Sequence, residues 1–138
     1  MSVLAITPAN VAASSSATCK YNATAGATIA AGQALYQAAD NSMQLCIANG
    51  ASPAYVFAGV ALNSASQGQP IAYAIKDPDL NLGVAGLAAG TVLVTSDTPG
   101  GIAPVTDVGT GQFVTVLGVV DGDGNLNLNP TASNAAHP

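Results

Sequence analysis

The chain has 138 residues, a formal net charge of −5 and 7% charged side chains, with Lys20 and Lys76 as its two Lys or Arg residues. Two separated lysines cannot neutralise a run of phosphates, so the composition argues against binding to nucleic acid or to an anionic membrane. The length suits one domain, because a folded chain of this size buries roughly 68–70% of the surface that it exposes when unfolded.

The first 20 residues are rich in Ala, Ser and Thr and show no helical apolar stripe. We predict an extended N-terminal arm at 1–20, a single β-domain at 21–130 and a flexible C-terminal tail at 131–138. The start of the chain has neither a basic region nor a continuous apolar segment, and no later stretch reaches the roughly 20 apolar residues of a membrane span. We therefore expect a soluble product made in the cytoplasm.

Eight short strands are predicted after the arm, because β-branched and aromatic residues recur in runs separated by Gly, Pro, Asn or Asp. They are expected at about 28–37, 43–48, 54–62, 70–76, 91–95, 102–105, 112–120 and 125–129. Ala is abundant, but a Gly or Pro interrupts almost every stretch long enough for a stable helix, so little helix is predicted. One short helical turn fits the sequence near Leu80 to Leu87.

The second half of the chain resembles the first. The segment at 29–36 has the sequence IAAGQALY, and it returns at 87–94 as LAAGTVLV, a shift of 58 residues. At the same shift, 55–57 corresponds to 113–115. The repeat predicts two similar halves, at about 26–80 and 84–130, within one domain.

These observations predict an all-β fold, either a compact β-barrel or a jelly-roll-like β-sandwich, built from the two halves. The longest apolar strands are expected at 54–62 and 112–120, so Tyr55, Phe57 and Phe113 are assigned to core packing.

Few residues could carry chemistry. The segment 121–125 has the sequence DGDGN and resembles the opening of a calcium loop, but the Gly and the closing Glu that such loops need are replaced by Leu126 and Ala132. A hairpin turn is the better interpretation. The two carboxylates of Asp77-Pro78-Asp79 are likewise assigned to a solvated turn.

His137 lies beside the C-terminal residue, where chain ends are usually mobile, so it is a poor general base or metal ligand. Cys19 and Cys46 could pair, but without a secretion signal reduced thiols are favoured. No catalytic residue, cofactor or metal site is predicted, and an enzyme is not expected.

Several segments in combination resemble the capsid cement or head decoration proteins of phages, which are often rich in Ala, Gly and Thr and poor in charge. The matching segments lie at 32–36, 57–65, 68–71, 90–93 and 100–104. Members of that family differ in fold, from β-barrels of the clip or tulip kind to jelly rolls, and in assembling as dimers or trimers. The family has no catalytic motif.

The resemblance implies a structural virion protein on the outer surface of the phage head, made in the host cytoplasm. It would bind the major capsid protein and copies of itself, with no nucleic acid, membrane or cofactor. Because an extended segment can add a strand to a partner's sheet and exposed aromatics anchor interfaces, the arm and the tyrosine beside it are the expected contact. The candidate interface residues are Val3, Leu4, Ile6, Pro8, Val11 and Tyr21.

A β-rich tail-fibre or adhesin module that binds carbohydrate is the alternative, since it would share the Thr, Asn and Gly content. Such sites favour exposed aromatic rings, whereas most aromatic residues of this chain fall in predicted strands.

Overall fold

The computed structural model describes residues 3–49, 53–84 and 86–136. Strands make up most of the regular structure in these residues. They are β1 (Thr18–Thr24), β2 (Ala34–Gln37), β3 (Met43–Leu45), β4 (Gly59–Ala61), β5 (Pro70–Leu80), β6 (Val92–Thr95), β7 (Ile102–Pro104), β8 (Phe113–Val120) and β9 (Leu126–Ala136). The described residues also contain two single turns of 3₁₀ helix, Pro8–Asn10 and Val105–Asp107, and no α-helix. The protein is therefore all-β, as predicted.

The strands form one curled antiparallel sheet in the order β3-β2-β4-β5-β9-β8-β6-β7, and β1 pairs with β5 beside this path. The long strand β5 links the two parts of the sheet. Near its start Ala74 pairs with Val60 of β4, and near its end Leu80 pairs with Leu126 of β9.

Backbone hydrogen bonds join the two ends of this sheet. The N–H of Gly100, before β7, donates to the C=O of Cys46, after β3, over 2.8 Å. The N–H of Ala48 donates to Ser96 over 2.8 Å, and that of Ala34 donates to Gly100 over 2.9 Å. These bonds satisfy backbone groups that an open sheet edge would leave without partners.

The buried side chains form two apolar clusters, and full burial of one Leu, Ile or Val contributes about 1.5–3 kcal/mol. The larger cluster takes residues from strands throughout the sheet, including Ala34, Val60, Leu80, Leu93, Ile102, Leu117, Leu126 and Leu128. The smaller cluster lies against the first strands and includes Ile29, Leu35, Met43 and Ile71.

The eight predicted strands correspond to β2 through β9, with differences at their ends. The strand predicted from residue 28 begins at Ala34, because Gly32 has a φ of 92° and forms a turn. Conversely, β9 continues through 131–136, the start of the predicted tail, since Thr115 and Phe113 of β8 pair with Ala132 and Ala136. Residues 137 and 138, including His137, lie outside the described residues.

Two smaller predictions are wrong. The helical turn predicted near Leu80 to Leu87 is absent from the described part of that range: Leu80 ends β5, Asn81 pairs with Ala12, and Gly83 and Gly86 have positive φ angles. Asp77 lies within β5 and is fully buried, so it does not belong to a solvated turn. Instead of a turn, the strand has a register shift between Asp77 and Leu80, where Pro78 cannot donate to the ladder.

Candidate partner interface

The N-terminal segment, defined here as residues 3–17, includes the 3₁₀ turn Pro8–Asn10 and is held to the rest of the chain by backbone hydrogen bonds. The N–H of Leu4 donates to Ile102 of β7 over 2.8 Å, and the N–H of Thr7 donates to Gly83 over 3.2 Å. Ala12 and Asn81 exchange two bonds of 3.0 and 2.9 Å. Main-chain pairing of this kind depends little on side-chain identity, which fits the Ala- and Ser-rich sequence.

The six candidate interface residues divide into two groups. Leu4, Ile6 and Val11 are half-buried, and Leu4 and Ile6 pack against the larger core cluster of their own chain. The others face solvent: Val3 is 37% exposed, Tyr21 is 68% exposed and Pro8 is also exposed. The structure thus leaves Val3, Pro8 and Tyr21 open to a partner.

A small groove lies beneath the N-terminal segment, with a volume of about 190 Å³. Its floor is the turn at Gly32, where a Cβ atom would lie 2.5 Å from Cγ2 of Ile6 and 3.1 Å from Cγ2 of Val11. Glycine is needed at this position both for its φ of 92° and for the close approach of Ile6.

Ser14, near the end of the N-terminal segment, donates two hydrogen bonds to the buried carboxylate of Asp77. Its N–H donates to Oδ2 of Asp77 over 2.7 Å, and its hydroxyl donates to Oδ1 of the same carboxylate. The N–H of Asp79 also donates to Oδ1 over 2.9 Å. A buried carboxylate needs such donors, because an unpaired charge in the core is strongly destabilising. The sequence does not indicate this contact, because nothing distinguishes Ser14 from the adjacent Ser15 and Ser16.

A β-bulge turns Tyr21 outward. Lys20 pairs with Tyr73 and Ala23 pairs with Ile71, so Tyr21 and Asn22 stand opposite a single residue of β5. Asn22 has a φ of 66°, a left-handed conformation that non-glycine residues seldom adopt outside turns and bulges. The side chain of Cys19 hydrogen-bonds Tyr21 and raises the pKa of its hydroxyl.

The other aromatic side chains take part in internal packing. The rings of Tyr55 and Phe113 stack with their centroids 4.0 Å apart and an angle of 8° between their planes. Phe57 packs against the larger core cluster, and burial raises the pKa of Tyr73. Tyr21 is therefore the most exposed aromatic side chain of the described residues.

The segment 121–125 forms the predicted hairpin turn between β8 and β9. Oδ1 of Asp121 accepts the N–H groups of Asp123 and Asn125 over 2.9 and 3.1 Å. Although partial burial opposes its ionisation, these bonds and one with Asp79 lower the pKa of Asp121. Asp79, Asp121 and Asp123 each offer a carboxylate oxygen, and these oxygens lie within 4.8 Å of one another. Asp79 of β5 joins the group by accepting a hydrogen bond from Nδ2 of Asn125 over 2.9 Å.

Both cysteines are free thiols, Cys46 buried and Cys19 half-buried. Burial raises the pKa of Cys46 to about 12, so its reactive thiolate is scarce near neutral pH.

Comparison with protein-family models, with curated proteins and with solved structures finds no match to this chain. Within the described residues, no helix has the length and apolar character needed to cross a bilayer.

Proposed function

We propose that the protein is a capsid cement protein of a phage, located on the outer surface of the head. It would bind the expanded shell across joints between major capsid proteins and stabilise it against the pressure of packed DNA. One observation carries the proposal furthest: β1 is a largely exposed strand on a well-packed β-domain, and its bulge directs Tyr21 into solvent. A ring held outward in this way suits an interface anchor.

Charge supports the same role. A surface whose polar groups are mostly uncharged loses little hydration free energy when a partner covers it, and the cores of protein interfaces are depleted in charge. A protein that binds the expanded shell alone stabilises that state by mass action, and the effect grows with concentration relative to Kd. Copies of the protein would contact each other on the shell as dimers or trimers, after synthesis in the host cytoplasm.

We also infer that the domain is a closed barrel of two similar halves. Corresponding turns support this, since the N–H of Gly32 donates to Ala61 and that of Gly90 to Val120, each over 2.8 Å. The sheet order supports it too, because β3-β2-β4-β5 is followed by β9-β8-β6-β7, the same arrangement reversed. The hydrogen bonds that join the ends of the sheet favour a barrel over a two-layer jelly roll.

DNA-filled heads stripped of their surface proteins provide the test. Adding the protein at saturating concentration should raise the temperature at which the heads release DNA, whereas an unrelated acidic protein of similar size should not. Release at the same temperature with and without the protein would refute the cement role.

The carbohydrate-binding module remains a second candidate because of Tyr21, whose exposed ring could stack on a sugar. Binding of the isolated protein to a glycan array would favour it, and the cement role predicts a blank array.

A further inference from the structure

The outer side of β1 is an unpaired sheet edge, called here the open edge. Within the described residues β1 pairs with β5 alone, and five of its seven residues are exposed while the other two are half-buried. In an antiparallel strand, alternate residues direct N–H and C=O groups away from the existing partner. Such groups form a template on which another extended segment can be added.

The two basic residues of the described chain lie at this edge. Lys20 is on β1, and Lys76 of β5 pairs with Thr18, two residues before Lys20. Both lysines are exposed, in a protein with a net charge of −5. Asp77, next to Lys76, is fully buried, and the side chain of Asp79 accepts a hydrogen bond from Asn125 at the β8–β9 turn. Within β1 and the residues 70–76 of β5 that pair with it, the open edge carries two lysines and no carboxylate, in a protein that is acidic as a whole.

These charges select the partner. If β1 of a second copy paired with β1 around a two-fold axis, both copies of Lys20 and Lys76 would meet at one interface. The strand, with the sequence TCKYNAT, has no carboxylate to compensate them. Like charges across strands are destabilising, and lysine on an edge is a common obstacle to pairing between identical copies. An acidic segment would instead be attracted.

We propose that the open edge accepts an extended segment of the shell protein that carries Asp or Glu. This rests on the proposed function and specifies its contact: main-chain pairing with β1, carboxylates near Lys20 and Lys76, and Tyr21 as the apolar anchor. The bulge at Tyr21 and Asn22 interrupts the ladder, so pairing is confined to short runs on either side of it.

Charge reversal tests the electrostatic part. Lys20→Glu should weaken binding to expanded shells about tenfold, and Lys20→Arg should preserve it. The double variant Gln37→Glu with Gln67→Glu is the matched control, because it changes the net charge equally at two exposed positions outside β1 and should have little effect. Equal weakening by Lys20→Glu and the control would overturn the inference.

Photo-crosslinking identifies the occupant. Tyr21→p-benzoylphenylalanine, bound to expanded shells and irradiated, should crosslink to a shell-protein segment that contains Asp or Glu. The same group at Val56, which is 49% exposed in the loop before β4, is the control position. A crosslink from position 21 to another copy of this chain, or crosslinks from position 56 alone, would overturn the inference.

The two proposals fail differently. If the wild-type protein binds shells and the Lys20 and Tyr21 experiments give the contrary results, the cement role stands and the open-edge contact is wrong. If the wild-type protein does not bind expanded shells, the cement role itself is wrong and the contact with it.

Discussion

Asp77 is a fully buried carboxylate that depends on Ser14 for two of its hydrogen bonds. Ser14→Ala removes the hydroxyl donor and leaves the main-chain donor in place. Because hydrogen bonds to charged groups contribute about 1.5–3 kcal/mol, we expect a loss of that size in the free energy of unfolding, measured with urea. Ser15→Ala is the control, since Ser15 is exposed and should change stability by less than about 0.5 kcal/mol. Equal losses would show that the Ser14 hydroxyl is not the cause.

Gly118 occupies a position in β8 that a larger residue does not fit. A Cβ atom there would lie 1.8 Å from the backbone oxygen of Asn127, and its φ of 152° is unfavourable for other residues. Gly118→Ala should therefore destabilise the protein by about 3 kcal/mol or more, through overpacking and backbone strain.

Gly122→Ala is the matched control for that substitution, because nothing lies within 4 Å of a Cβ at Gly122. Its urea midpoint should stay close to that of the wild type. A Gly118→Ala protein with an unchanged midpoint would mean that β8 and β9 are not as close as the structure has them.

At the scale of single residues, the sequence predicts the turn at 121–125 but neither the turn at Gly32, which lies inside a predicted strand, nor which polar residues meet in the core. The contact of Ser14 with Asp77 joins residues 63 positions apart, and neither residue has a neighbour pattern that signals it. Tyr21 is named from the sequence as an exposed aromatic residue, but the bulge that turns it outward depends on the register of β1 against β5, which no local pattern specifies.

Among the elements, β2 to β9 could be predicted because each is a short run with apolar residues, most of them including β-branched ones, bounded by Gly, Pro, Asn or Asp. β1 is not among the predicted strands, although Cys19, Tyr21 and Ala23 alternate with polar residues, because the segment has few large apolar residues and follows the Ala-, Ser- and Thr-rich start of the chain; it pairs with β5. Because β1 begins at Thr18, the sheet starts within residues 1–20, the region predicted as an arm.

Removal of residues 1–12 separates the N-terminal segment's role in binding from its role in folding. Removing the whole predicted arm, residues 1–20, would also delete Ser14 and the start of β1, whereas removing residues 1–12 leaves both in place. The loss of half-buried Leu4, Ile6 and Val11 should lower the free energy of unfolding by about 2–4 kcal/mol, measured by urea unfolding.

The truncated protein should keep its far-ultraviolet circular dichroism spectrum, which serves as the control for folding. Its affinity for expanded shells should fall, because Val3 and Pro8 leave the surface with the segment. Undiminished affinity would show that residues 1–12 do not contribute to binding, and that the contact with the shell consists of the open edge.

For the whole molecule, the distribution of charge matters more than its total. Five of the seven acidic residues lie outside the strands, whereas both lysines lie on β1 and β5, where Asp77 is buried and Asp79 is bonded to Asn125. If an acidic segment binds the open edge as proposed, binding to shells should weaken with salt, because the Debye length shortens from about 10 Å at 0.1 M to about 3 Å at 1 M.

The most direct test is co-sedimentation of the purified protein with heads of the parent phage, comparing unexpanded procapsids with expanded shells stripped of surface proteins. A cement protein should bind the expanded shells saturably, with a fixed number of copies per shell, and should leave the procapsids unbound. Absence of binding to both forms would contradict the proposed function.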